Sequence, residues 1–172
     1  MARKIHIYIL LLFVSFLCCD DCGKGARAGF YHPAGSRASE SQPYAALGMV
    51  FPQKYHAGVD YALECGSDVF AFYGGVIYGI VSGDREWGNA VTIRHEMQSG
   101  EIFSFYAHLS EAAAVKGAVI KGGEGIGASG TSGVSSGCHL HFALRRDAEF
   151  RSGYTEAHPD KDGYLNPAAF GL

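Results

Sequence analysis

From Tyr44 onward the apolar residues of this chain come in short runs broken by glycine, and that punctuation limits what the chain can fold into. The runs are Val69-Phe70-Ala71-Phe72-Tyr73, Val76 to Val81, Ala90 to Arg94, Ile102 to Leu109 and His139 to Leu144. Each suits a strand in length, and each is rich in β-branched or aromatic residues. The fold class expected is mostly β: one domain of antiparallel sheets with few or no long helices. The glycine-rich stretch from Val115 to Gly137 invites comparison with a phosphate-cradling loop. Such a loop runs from a strand into a helix and carries lysine after glycine, whereas this one leads into the strand holding His139. Tight turns account for it better.

Two short segments carry metal-competent side chains, His56-Ala57-Gly58-Val59-Asp60 and His139-Leu140-His141, with Tyr106-Ala107-His108 between them. In a strand, alternate side chains share a face. His56 and Asp60 then fall together with Gly58 between them, leaving room for an ion, while Ala57 and Val59 face a core. His139 and His141 share a face opposite Cys138, Leu140, Phe142 and Leu144. By the same alternation Ser104, Tyr106 and His108 fall together, away from Phe103, Phe105, Ala107 and Leu109. A helix would also bring His56 near Asp60, but Gly58 and β-branched Val59 weaken that reading.

Two imidazoles and one carboxylate are a ligand set for catalytic zinc with the fourth position left for water. Such a site lowers the pKa of its water towards about 7, and a neighbouring histidine can move the proton. Five side chains are available, and spacing alone does not say which three bind. Any one histidine is more often a surface or core residue than a ligand. His95, at the end of a strand-like run, and His32 and His158, beside prolines, are assigned no role. Taken singly, Asp60 reads as a turn residue and Tyr106 as a half-buried strand aromatic.

In combination, the H-x(3)-D segment, the mid-chain histidine and the H-x-H segment resemble the M23 metallopeptidases of the lysostaphin and LytM type. The Leu165-Asn166-Pro167 ending is similar too, so the resemblance covers roughly Tyr44 to the C-terminus. It implies an open groove between antiparallel sheets, one zinc ion per domain held by His56, Asp60 and His141, and His108 and His139 as the catalytic pair. The activity it implies is hydrolysis of a peptide bond in peptidoglycan cross-links or stem peptides. Tyr106, two residues before His108, is expected to help position that substrate. The rival reading is a non-catalytic module that regulates other cell-wall hydrolases; presence of all five positions favours the enzyme.

The N-terminus reads as an export leader over residues 1–22. Arg3 and Lys4 supply the charge, and Ile5 to Leu17 an apolar core of 13 residues, short of the roughly 20 needed to span a bilayer. Cys18 and Cys19 follow directly, so a lipid anchor to the membrane is one reading, although neither cysteine follows a small residue. Residues 23–43, rich in Gly, Ala, Ser and Arg, read as a flexible tether, and residues 44–172 as the peptidase domain. Export places the protein in the cell envelope, and a monomer is expected. A net charge of −3 with scattered basic residues gives no electrostatic case for nucleic acid. Of the five cysteines only Cys65 and Cys138 lie in the domain. Neither has a C-x-x-C partner, which argues against a thiolate zinc cluster, and an oxidising envelope leaves open that they pair.

Overall fold

The computed structural model describes residues 29–36, 38–48 and 51–172. The leader and Cys18, Cys19 and Cys22 lie outside the described residues. Strands follow one another as β1 (Ser39–Gln42), β2 (Tyr55–His56), β3 (Val59–Ala62), β4 (Asp68–Phe70), β5 (Gly75–Asp84), β6 (Gly88–Met97) and β7 (Gly100–Leu109). Then come β8 (Glu111–Ala112), β9 (Val119–Ile120), β10 (Gly125–Ala128), β11 (His139–Arg145), β12 (Tyr154–Thr155) and β13 (Tyr164–Leu165). The only helices among the described residues are two single 3₁₀ turns, Pro159–Asp162 and Pro167–Phe170. The expectation of a mostly β fold without long helices holds.

The main sheet is antiparallel in the order β1-β3-β11-β7-β6-β5-β9, with β13 also on β11. One face is covered by the small sheet β4-β10-β8. Between them lies the principal core, where Val59, Tyr61, Val91, Ile93, Leu140, Phe142 and Leu144 meet Val69, Phe72 and Ile126. The other face carries a smaller cluster of Ala57, Trp87, Ala90, Phe105, Ala107, Ala143 and Tyr164. Period-two alternation therefore sorts each central strand into a core row and a groove row.

The segment read as a tether is in part structural. Ser39–Gln42 pairs with β3, Gln42 opposite Asp60. Upstream, Phe30 stacks on Phe72 with ring centroids 4.8 Å apart, the Pro33 carbonyl accepts from Phe70 N, and His32 packs edge-on against Tyr61. Composition misses this because an edge strand needs few apolar side chains when its backbone is paired on one side. Tyr61 belongs to the core row, so His32 lies on the far side of β3 from Asp60.

Candidate metal centre

Three side chains from three strands converge on the groove face. His56 ends β2, Asp60 lies in β3, and His141 in β11 sits opposite Asp60 in the antiparallel register. Alternation expects His56 to Asp60 to be one extended strand. The chain instead bends at Ala57 and Gly58, which brings the two side chains together all the same. Gly58 also serves differently from its sequence reading. A Cβ there would lie 2.5 Å from the Phe142 carbonyl oxygen and 2.8 Å from His141 Cε1, so the missing side chain makes room for the His141 ring.

His56 Nε2 lies 3.2 Å from His141 Nδ1 and 3.2 Å from Asp60 Oδ1, and His141 Nδ1 lies 2.8 Å from Asp60 Oδ1. The other His56 nitrogen, Nδ1, is 3.2 Å from the Pro43 carbonyl oxygen. A carbonyl only accepts, so Nδ1 carries the proton and Nε2 presents its lone pair. His141 is fully buried and its Nε2 has no partner among the described residues, which leaves Nδ1 as the ring's polar outlet. Lone pairs and a carboxylate this close repel unless a proton or a cation lies between them. One nitrogen from each imidazole and one carboxylate oxygen, all within 4.8 Å of one another, fit a divalent ion that takes nitrogen and oxygen donors.

Electrostatics agree. Burial alone would raise the Asp60 carboxyl, but the interactions with the adjoining His141 and His56 imidazoles together outweigh it and hold the group well below the ordinary carboxylate range. Burial lowers the His141 imidazole despite the opposing pull of Asp60, keeping it neutral and ligand-competent.

His108 and His139 stand beside this trio, their ring centroids 4.7 Å apart, with His139 Nε2 at 4.0 Å from Asp60 Oδ2. His139 Nδ1 is 2.9 Å from the Gly137 carbonyl oxygen, and His108 Nδ1 is 2.8 Å from that of Ser132. Both rings are thereby protonated at Nδ1 and keep Nε2 free. Burial pushes the His108 imidazole down to about 4, and the nearby His141 imidazole further disfavours its protonation.

Tyr106 does not join them. Its side chain is fully buried in the principal core, where its hydroxyl accepts from Phe72 N at 2.8 Å and from Ser104 Oγ at 3.0 Å. It cannot touch a substrate in the groove. The expectation fails because alternation breaks one residue later. Between Asn89 and Val91 of β6 the paired strand β7 advances from Leu109 to Tyr106, an extra residue, and His108 takes φ +62°. This bulge turns His108 towards the groove face that Phe105 and Ala107 share, as bulges beside functional sites often do.

The five residues lie at the floor of an open groove of about 1220 Å³. Its walls include Gln42, Trp87, Phe150 and Tyr154, which the sequence reading did not single out. Trp87 packs against His141 at 5.2 Å and His108 at 6.3 Å. As the single tryptophan of the chain, flanked by a charged turn, it offered a signal. Pro43 and Ser132 act through backbone carbonyls and offered none.

The sequence profile of peptidase family M23 matches residues 54–152, which takes in all five. The chain belongs to peptidase family M23. Its relatives include the DD-carboxypeptidase/endopeptidase Mpg of Neisseria meningitidis serogroup B, 43% identical over 94 residues, or 54% of this chain and 20% of that protein. The peptidoglycan DD-endopeptidase ShyA of Vibrio cholerae is 33% identical over 90 residues, 52% of this chain and 20% of the relative. The chain thus matches about a fifth of the length of each of these relatives. Among solved structures, the catalytic domain of the prophage-encoded M23 protein EnpA of Enterococcus faecalis superposes with a TM-score of 0.63 at 26% identity. That match covers 86% of this chain and 100% of EnpA's domain. Lysostaphin of Staphylococcus simulans shares the fold, with a TM-score of 0.66 at 23% identity over 84% of this chain and 53% of that one.

Proposed function

We propose that this protein is a zinc-dependent endopeptidase of the cell envelope that hydrolyses peptide bonds in peptidoglycan cross-links or stem peptides. The observation that carries the reading is the convergence of His56 Nε2, Asp60 Oδ1 and His141 Nδ1 at the floor of an open groove, with two further imidazoles beside them. One relative named as a peptidoglycan DD-endopeptidase and another named as a DD-carboxypeptidase/endopeptidase support the substrate class.

His56, Asp60 and His141 would hold the ion. Bound zinc supplies a Lewis acid and a water of lowered pKa. The Pro43 carbonyl holds His56 in the ligating tautomer, and β11 with β3 fixes Asp60 and His141 as a pair. His108, neutral near pH 7 and anchored at Nδ1 by Ser132, can take a proton at Nε2. His139, anchored by Gly137, is placed to share that task or to donate towards negative charge developing on the scissile carbonyl oxygen. Trp87, on the groove wall, packs against the His141 ring and shields that side of the ligands from water.

The test is metal content measured alongside hydrolysis of purified cell walls. His56→Ala, Asp60→Ala and His141→Ala should lose zinc and activity together. His108→Ala and His139→Ala should keep zinc and slow turnover by about 10²- to 10⁴-fold. A wild type that binds zinc, cuts no wall preparation and stimulates a separate hydrolase would make it a regulator instead.

A further inference from the structure

The groove contains one covalent cross-link that the reaction does not use. Cys65, in the turn after β3, is bonded to Cys138, the residue immediately before His139, with Cα atoms 5.2 Å apart. Its two ends differ in what else holds them. The Cys65 turn is pinned to the body of the protein: Gly66 N donates to the Ser129 carbonyl, Ser129 Oγ to the Glu64 carbonyl at 2.7 Å, and Ser67 N to Ser129 Oγ at 3.0 Å. Next to Cys138 the chain is held on its downstream side only, where His139 N donates to the Gly130 carbonyl and His139 pairs with Ala62. From Ser135 to Gly137, the hydrogen bonds among the described residues stay within the segment or run to the His139 ring. Upstream the segment is tied at Val134, whose N–H donates to the Glu86 carbonyl. The carbonyl that sets the His139 tautomer belongs to Gly137, one residue from the sulfur. The disulfide therefore ties a fixed turn to the segment that aims a catalytic histidine.

We propose that the Cys65–Cys138 disulfide is a positioning element for His139, and that hydrolysis slows when it is reduced to two thiols. Cys65 is exposed and Cys138 half-buried, so a reductant meets Cys65 first. A thiolate of a dithiol attacks the Cys65 sulfur and Cys138 leaves as the thiolate. The reductant's second thiol then displaces Cys65, closing its own disulfide, and its two protons end on the two cysteine sulfurs. Once the bond is broken, the Gly137 carbonyl is no longer held against Nδ1, and His139 loses its fixed tautomer and its aim. The three metal-binding side chains keep their supports, because Asp60 and His141 remain paired through the β3–β11 ladder.

This inference rests on the catalytic role proposed for His139, and the experiment separates the two. The full chain is compared oxidised, reduced with a phosphine, and as the Cys65→Ser/Cys138→Ser double variant, reading kcat, KM and metal content. The expected result is a fall in kcat of about 10- to 100-fold, the usual worth of a group that orients a reacting side chain, with KM and metal content unchanged. In a His139→Ala background the same cysteine changes should cost nothing further. Unchanged kcat in the reduced and double-variant proteins would overturn the proposal. So would an equal loss with His139 already removed, or a loss that follows departing metal. If the oxidised protein hydrolyses no wall at all, the functional reading has failed, and nitrogen NMR of His139 still decides the positioning. A hydrogen-bonded Nδ1–H present only in the oxidised form supports it, and the same signal in both forms refutes it.

Discussion

Substituting alanine for Gly58 tests whether the metal centre depends on a packing detail rather than on its ligands alone. The added Cβ would sit 2.5 Å from the Phe142 carbonyl oxygen, 2.8 Å from His141 Cε1 and 2.9 Å from His141 Nε2, where 3.4 Å is the near edge of ordinary contact. The shortfalls are 3.4 − 2.5 = 0.9 Å and 3.4 − 2.8 = 0.6 Å. The Phe142 backbone cannot retreat easily, since Phe142 is paired with Val59 on one side and Tyr106 on the other. Strain therefore falls on the His141 ring, and a displacement of several tenths of an ångström exceeds the roughly 0.2 Å tolerance of a metal–ligand distance. Gly58→Ala should weaken zinc binding by at least about 10- to 100-fold and lower metal-free stability by about 1–3 kcal/mol through overpacking. Competition against a chromophoric chelator measures the first and urea denaturation the second. Gly125→Ala, whose Cβ would meet nothing within 4 Å, is the neutral control. Wild-type zinc affinity in Gly58→Ala would refute the reasoning.

Three further outcomes are expected. The His95 imidazole, fully buried, is pushed from 6.5 down to about 4 by burial; its stabilising contribution is complete above pH 6.5 and is lost as pH falls towards 4. At 1.36 kcal/mol per pH unit that is about 3 kcal/mol, and denaturation at pH 7 and pH 4 should show less acid loss in His95→Gln than in wild type. Tyr106→Phe should lower stability by about 1–2 kcal/mol by stranding the Phe72 N–H while leaving KM unchanged, which a substrate-binding tyrosine would not do. A chain beginning at Tyr44 should melt lower and hold zinc more weakly than one beginning at Gly29, because it lacks β1, the Phe30 stack and the Pro43 carbonyl on His56. Equal melting temperatures would restore residues 29–43 to the status of a tether.

Much of this architecture was legible in the residues themselves. Alternation in His139 to Leu144 separates a groove row from a core row, and β11 follows it residue for residue, because a strand buried on one face admits only one register. The residue types of the five candidates likewise carried the donor chemistry, while it was the resemblance to the M23 family, not spacing, that singled out His56, Asp60 and His141. What alternation could not supply was the bulge that turns His108 into the groove and Tyr106 into the core. A bulge is a mismatch between two strands, and neither strand's sequence records it alone. The same limit explains the N-terminal segment, whose strand exists through backbone pairing with β3, and the Cys65–Cys138 bond, whose formation depended on two turns meeting. Residue types decided which chemistry the chain can support. Contacts between segments distant in sequence decided which of those residues face one another, because distance and tautomer are set by neighbours that only folding brings near.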